Sequence, residues 1–387
     1  MDIKNITRVY KNSIGNALVK RNIPHFRLIK DSSIFQVGLG CKQRRFVYDD
    51  INSSAARKIC NNKVYTKYFL TQLEVPVPKG KRLHAVEDLE NAFSELTKPV
   101  VIKPISEMWG KGISTNIMTL QEAKKAYAIA SKFKGAYVIM EEHVMGDDHR
   151  LLYIGGKYVA GLKRIPPVII GNGNDPIGEL IRKENEKRKK SRKIVKEILV
   201  DDTVISFLKK QGFSMDSILA KGQAVKIRMT GNISSGGTSE NITDKIHPSI
   251  IELGREIISY LNLEIGGVDV LTTDIGKPLS ETNGRVSEIN QNPDIVMHTK
   301  PYFGKPLDTA GLFIEHLFPK TEDAWIKIEK RDGSRIFSQK ELNKNLGKIP
   351  RKVIMIDKQS GKKKSIQKPE KPLFNYLISD STFSIKL

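Results

Sequence analysis

Between about residues 60 and 300 the apolar positions switch repeatedly between period two and the helical period. "KPVVIKP" (98–104) and "AYVIMEEHV" (136–144) read as short buried strands, with "LQEAKKAYAIASKF" (120–133) between them as an amphipathic helix. An earlier helix carries Lys63, Lys67, Phe69, Leu70 and Leu73 at helical spacing and is stopped by "VPVPKG". "LLYIGGKYVAGLKRIP" (151–166) predicts a hairpin turning at Gly155 and Gly156. "VKIRMTGNISSGGTSENIT" (225–243) predicts a strand, with Arg228 inside it, opening into a Ser/Gly loop. A helix over about 249–261 leads to the strand "IGGVDVLTTDI" (265–275), and a turn around Lys277 and Pro278 leads to "GRVSEINQNPD" (284–294). Strands alternating with helices in this way indicate an α/β or α+β body.

The pattern thins at both ends and once in the middle. Residues 1–60 form a short opening unit ending near "FQVGLGCKQRRF", and 61–325 hold the main body. Residues 171–222 are a polar insertion, expected to be helical and mobile, and 326–387 are a basic extension, either a small domain or a tail. At 387 residues the chain can bury sizeable cores. No run approaches a membrane span, and "MDIKNITRVY" lacks the apolar stretch of a signal peptide. Cys41 and Cys60 offer neither a disulfide framework nor metal spacing, which suits a reducing cytoplasm.

Charge changes the picture more than composition does. Of the net +22, residues 182–196 carry nine Lys/Arg against two Glu, and 326–387 carry sixteen against six acids. Nucleic acid, an acidic substrate or a solvated face could each explain this excess. The basic residues do not alternate with aromatics and no nucleic-acid module is present, so an acidic substrate or a solvated face is favoured.

Candidate chemistry gathers on the last two strands. In "RVSEINQNPDI", Glu288 and Asn290 are two apart and share a strand face. Asp269 sits in an apolar strand, where a lone buried carboxylate is costly unless paired or metal-bound. A hairpin-like pairing of the two strands would place Asp269, Glu288 and Asn290 on one face. Three such oxygen ligands suit Mg²⁺, while a structural hydrogen-bond network or a solvent-facing edge strand remains an alternative. Lys63 and Lys103 stand where phosphates need charge, although each alone could be a snorkelling surface lysine. Gly110 and Gly112 would let backbone amides approach an anion closely, although the loop is not a Walker loop. The backbone over 141–144, with Glu141 and Val144, could face adenine and Asp148 a ribose, or these could be solvated acids at a strand end. Arg228 between apolar residues calls for a carboxylate or a phosphate. Ser234, Ser235, Gly236 and Gly237 suit a held carboxylate or acyl phosphate, or an ordinary hairpin loop.

Taken in order, these segments resemble the ATP-grasp superfamily, and within it the ATP-grasp module of cyanophycin synthetases. The resemblance runs from about residue 35 to 319 and rests on "FQVGLGCKQRR", "VVIKP…GKGIS", "EEHVMGDDHRLLYIGGKYVAG", "VIIGNGNDPIGELI", "NISSGGTSENITDKIHP", "GGVDV" and "EINQNPDIVMH". It implies an α+β fold of two subdomains clamping ATP, with Mg²⁺ or Mn²⁺. Lys63 and Lys103 would bind the phosphates, Glu141, Val144 and Asp148 the adenine and ribose, and Arg228 the phosphoryl group in transfer. Asp269, Glu288 and Asn290 would hold metal. Gln43, Arg44, Arg45, the 234–237 loop and His298 would lie near the acceptor. The implied activity is ATP-dependent joining of a carboxylate to an amine, on an amino acid or acidic peptide, without nucleic acid or membrane and compatible with a homo-oligomer. A rival from another class is a scaffold that keeps the fold, does not ligate, and binds a partner or nucleic acid through its basic segments. The resemblance lapses at the end, where 326–387 are too few for a Mur-ligase-like domain and lack a Walker glycine–lysine motif.

Overall fold

A computed structural model describes residues 14–18, 21, 25–27, 35–37, 44–46, 51–105, 112–133, 137–191 and 193–318, with strands at 328–329, 352–357, 363–367 and 383–386. The chain divides into two compact units, one made of 1–51 with 308–387 and the other of 52–307. In the first, β1 (His25–Arg27), β2 (Phe35–Val37) and β3 (Arg44–Phe46) form an antiparallel sheet.

The 52–307 unit opens with α1 (Ser54–Cys60) and α2 (Lys63–Gln72), the latter capped by Asn62, whose side chain accepts from the Val64 and Tyr65 amides. A four-stranded sheet follows in the order β4 (Gly80–Leu83), β7 (Val138–Glu142), β5 (Val100–Pro104), β6 (Ser114–Ile117). Helices α3 (Asp88–Glu95) and α4 (Leu120–Ala130) cover it, and Leu89, Ile102, Ala123 and Met140 fill the layer between. Helix α4 begins in a capping box, Thr119 with Glu122, which satisfies amides the first turn would otherwise leave open.

A five-stranded antiparallel sheet runs β12 (Thr238–Asn241), β9 (Lys157–Ile165), β8 (Asp147–Ile154), β13 (Ile265–Thr272), β14 (Arg285–Asn290). The β8–β9 hairpin turns at Gly155 and Gly156, both at positive φ (56° and 72°), as its pattern predicted. Helix α7 (Pro248–Tyr260) packs on this sheet, and Gly254 is required there because a Cβ would fall 2.0 Å from the Tyr153 hydroxyl. Between β13 and β14 the expected turn contains a short helix, α8 (Leu279–Thr282), ended by Asn283 at φ 53°.

The 171–222 insertion has a core of its own. Its helices α5 (Ile177–Lys189) and α6 (Asp202–Lys210) pack with the ribbon of β10 (Val168–Ile170) and β11 (Ala224–Lys226) around Ile169, Ile177, Val204, Leu208 and Val225. In the first unit, α9 (Thr309–Leu317) is capped by Asp308 and tied to the chain start by Arg21–Glu315 at 2.8 Å. Strands β15 (Ile328–Glu329), β18 (Phe383–Lys386), β16 (Lys352–Asp357) and β17 (Lys363–Gln367) form a further sheet in that order. Among the described residues no helix is long and apolar enough to cross a membrane.

Candidate active site

The register of β13 against its neighbours fixes one polar face. Asp269 pairs with Glu288 and Gly267 with Asn290 across β14, while on the other side Asp269 pairs with Arg150 of β8. Asp269, Glu288 and Asn290 therefore share a face, as the strand pattern predicted. A bulge after Asp269 leaves that alignment intact, because it falls toward Val270.

Asp269 is buried and paired. Arg150 reaches it through Nε to Oδ1 at 2.6 Å and Nη2 to Oδ2 at 2.7 Å, and Arg164 Nη2 reaches Oδ2 at 2.7 Å and Asp148 Oδ1 at 2.6 Å. Burial works to raise the Asp269 carboxyl, but the two guanidinium groups outweigh it and hold the carboxyl below its ordinary range. Glu288 is more open, and its nearest cation, Lys63 Nζ, is 4.0 Å away. The Asn290 side-chain nitrogen is buried without a partner, so that amide is not locked into a finished network. Two carboxylates and an amide in register suit a hard divalent cation. Among the described residues no three His, Cys, Asp or Glu side chains gather into a possible metal site.

A second cluster lies where α2 meets the four-stranded sheet. Glu141, buried, accepts from Lys103 Nζ at 2.5 Å and from Lys67 Nζ, which also donates to the Pro78 carbonyl at 2.7 Å. Burial works to lower Lys103, yet Glu141 pulls harder and its ammonium is raised; for Lys67, burial wins and it is lowered. Burial likewise works to raise Glu141, and the two lysines outweigh it. Lys63 opens α2 and donates to the Ile105 carbonyl at 3.3 Å. One cleft is lined by Lys63, Lys67, Glu141 and Glu288, with Cys60 and Pro78. Burial, with Glu288 nearby, pushes the Cys60 thiol up to about 12, so it is a neutral packing residue and no nucleophile.

Beyond Glu141 the strand runs into a hinge. The Glu142 and His143 amides are used by the Lys79 and Pro99 carbonyls, and Val144 follows half-buried. Asp148 is on β8, where it holds Arg164.

Comparison with known proteins gives this arrangement its frame. The bifunctional glutathione synthetase structure from Pasteurella multocida superposes with a TM-score of 0.58 at 28% identity, covering 80% of this chain and 43% of that one. The cyanophycin synthetase of Geminocystis herdmanii is 36% identical over 315 residues, 80% of this chain and 36% of the relative. The chain has the ATP-grasp fold. The bifunctional glutathione biosynthesis protein of Clostridium perfringens is 33% identical over 266 residues, 67% of this chain and 34% of the relative. The chain thus spans about a third of the length of these curated relatives. No family model matches it.

Within the ATP-grasp fold the other expected residues fall unevenly. Arg228 lies just past β11 in irregular chain and not inside a strand, because pairing with β10 stops at Lys226. Its Nη2 donates to the Leu199 carbonyl at 2.9 Å and to Asp201 Oδ2 at 2.7 Å, while its Nε is buried without a partner. Ser234 and Ser235 sit in a 3₁₀ turn, and Gly236 follows at φ 101° against Ile198, where a Cβ would come within 2.6 Å of the Ile198 Cα. A Cβ on Gly237 would meet the Gly231 carbonyl at 2.2 Å. Gly112 has φ 68° and faces the Phe133 ring, whereas Gly110 lies outside the described residues. His298 is buried with both ring nitrogens unpartnered, and burial together with Arg150 brings it down to about 3. Gln43 lies outside the described residues; Arg44 and Arg45 are on β3 of the other unit, with Arg44 exposed.

Three residues were not singled out as site residues from the sequence: Arg150, Arg164 and Lys67, the last noted only as a helix position. Arg150 had a local signal, a guanidinium two residues after Asp148 in an apolar run, hence on the same face. Lys67 lies one helical turn after Lys63. Arg164 had none, because its partners are 16 and 105 residues away.

Proposed function

We propose that the chain is an ATP-dependent carboxylate–amine ligase, ADP-forming, acting on an amino acid or acidic peptide in the cytoplasm. The observation that carries this reading is a single cleft bringing Lys63 beside Glu288, which pairs with Asp269 across β13–β14 and shares a strand face with Asn290. The relatives named above support it, being by name a cyanophycin synthetase and a bifunctional glutathione biosynthesis protein.

The substrate carboxylate oxygen attacks the γ-phosphorus of ATP, forming an acyl phosphate as ADP leaves. An amine nitrogen then attacks the acyl carbon, an amide bond forms, and phosphate departs with the amine proton passing to solvent or base. Lys63 and Lys103 hold the phosphates, and Glu141 keeps Lys103 charged and placed until they arrive. Val144 offers the adenine a hinge amide, and Asp148 the ribose an acceptor. Asp269, Glu288 and Asn290 would hold Mg²⁺ (or Mn²⁺), which when bound neutralises charge between phosphates. Arg228 has donor capacity left on Nε for the group in transfer, and Ser234, Ser235, Gly236, Gly237 and His298 face the acceptor. Gln43, Arg44 and Arg45 are proposed for the acceptor side as well. Such chemistry is chiefly positioning and charge neutralisation and needs no covalent enzyme intermediate.

The test is ADP release from the full chain with ATP, Mg²⁺ and pairs of carboxylates and amines, with mass analysis of products. A requirement for both partners and a condensed product support the ligase. ADP release that needs neither, or none with any pair, overturns it and returns the scaffold alternative.

A further inference from the structure

The strand pair that carries Asp269, Glu288 and Asn290 is finished by a side chain from far earlier in the sequence. Pairing of β13 with β14 ends at Gly267 and Asn290, although β13 begins two residues earlier, at Ile265. By register Ile265 would stand opposite Asn292, but there the chain turns across Gly267 at Pro293, whose Cβ lies 3.0 Å from where a Cβ on Gly267 would stand. A proline has no amide to continue the ladder.

Asn52 fills that place. Its Nδ2 donates to the Ile265 carbonyl at 2.8 Å and its Oδ1 accepts from the Ile265 amide at 3.2 Å, which copies the two bonds of a paired strand residue. The same oxygen accepts from the Glu264 amide at 2.8 Å, and the same nitrogen donates to the Gln291 carbonyl. One amide group therefore ties the start of β13 to the residue directly after Asn290. Asn52 is only 6% exposed, so removing it leaves buried backbone groups without partners. It is also held from its own side. Ser53, next in sequence, caps α1 by accepting from the Ala56 amide at 3.1 Å, and Ala56 and Cys60 of that helix share a core with Val268 of β13 and Val286 and Ile289 of β14. The Asn290 side-chain nitrogen, by contrast, is buried without a partner, so the direction of that amide is set by its backbone.

We propose that Asn52 is a positioning residue for the metal: by holding the Gln291 carbonyl against the start of β13, it aims the Asn290 amide at the ion beside Glu288. Groups that orient a ligand from behind in this way commonly govern metal affinity nearly as strongly as the ligand does. This deepens the ligase reading and rests on it for the ion.

The experiment measures Mn²⁺ binding in the presence of ADP by electron paramagnetic resonance, with thermal unfolding of the same full-length proteins. It compares wild type, Asn52→Ala, Asn52→Asp, Asn290→Ala, Asn52→Ala combined with Asn290→Ala, and Ser53→Ala. Asn52→Asp keeps the size and both acceptor bonds but loses both donations, so it tests the tie to Gln291 even where Asn52→Ala does not fold. Each Asn52 variant should weaken Mn²⁺ binding by about tenfold. Ser53→Ala, which removes the cap of the adjoining helix, should lower the melting temperature and keep Mn²⁺ affinity within about twofold of wild type. In the Asn290→Ala background, Asn52→Ala should change Mn²⁺ affinity by less than about twofold, because the group it aims is gone. Asn52 variants that lose stability and bind Mn²⁺ as wild type does, or losses at Asn52 and Asn290 that simply add, overturn the proposal and leave the ligase reading standing. A wild type that binds no Mn²⁺ with ADP overturns both.

Discussion

Arg150 grips Asp269 through two parallel hydrogen bonds, at 2.6 and 2.7 Å, where Asp269 is 1% exposed. The carboxylate therefore serves the sheet before it serves any ion. Removing its charge leaves Arg150 and Arg164 buried with too little opposite charge, the costly half of a buried ion pair.

The first prediction separates the two carboxylates. Asp269→Asn should lower stability by about 3 kcal/mol, whereas Glu288→Gln, whose nearest cation is 4.0 Å off, should stay within about 0.5 kcal/mol. Both should lower ADP release by about a hundredfold. Urea unfolding and turnover at limiting Mg²⁺ decide it. Near wild-type turnover in Glu288→Gln removes that residue from the metal set.

Glu141 provides a prediction in acid. Its folded carboxyl lies below the ordinary 4.5, so on acidification the unfolded chain takes up the proton first. Its stabilisation is complete above about pH 4.5 and is lost as pH falls below that toward the folded value. Glu141→Gln should be less stable at neutral pH, because Lys67 and Lys103 lose their shared partner, and its stability should fall less steeply below 4.5. Parallel acid limbs for the two proteins would refute the assignment.

These pairs also mark how far the sequence could be read. The one-face placement of Asp269, Glu288 and Asn290 was legible because strand periodicity is local and two sequential strands tend to pair. What occupies that face was not, because Arg150 and Arg164 arrive from a hairpin more than a hundred residues earlier, through a register no local pattern encodes. Arg228 was misplaced because its apolar neighbours Ile227 and Met229 imitate a strand, although Ile227 is buried and Met229 is 37% exposed. The insertion looked polar because its core residues, such as Ile177, Leu180, Val204 and Leu208, are spread among charges on two short helices.

His298 gives a slope. With its folded value at about 3 and an unfolded value of 6.5, the unfolded chain gains the proton first as pH falls. The associated stability is fully present above 6.5 and is lost progressively down to about 3. The loss approaches 1.4 kcal/mol per pH unit, in rough terms, for one such group. His298→Asn should flatten the stability profile between pH 6 and 4 by about that much relative to wild type. An unchanged slope would mean that His298 is protonated in the folded chain and is not the buried neutral ring its surroundings require.

The last prediction concerns Arg228, whose two roles can be pulled apart. Nη2 is occupied by the Leu199 carbonyl and Asp201, tying the insertion to the chain after β11, while Nε is buried and unpartnered. If that spare donor meets the phosphoryl group in transfer, the interaction is stronger in the transition state than with bound ATP, and it governs rate more than affinity. Arg228→Lys keeps a charge and loses the planar fork. It should slow single-turnover acyl phosphate formation by about a hundredfold, or roughly 2.7 kcal/mol, with ATP affinity little changed. Asp201→Asn isolates the tether: it weakens the ion pair, can still cap α6, and should lower stability by about 1 kcal/mol without touching the chemical step. Arg228→Lys that copies Asp201→Asn, with less stability and intact chemistry, would assign the guanidinium wholly to the tether.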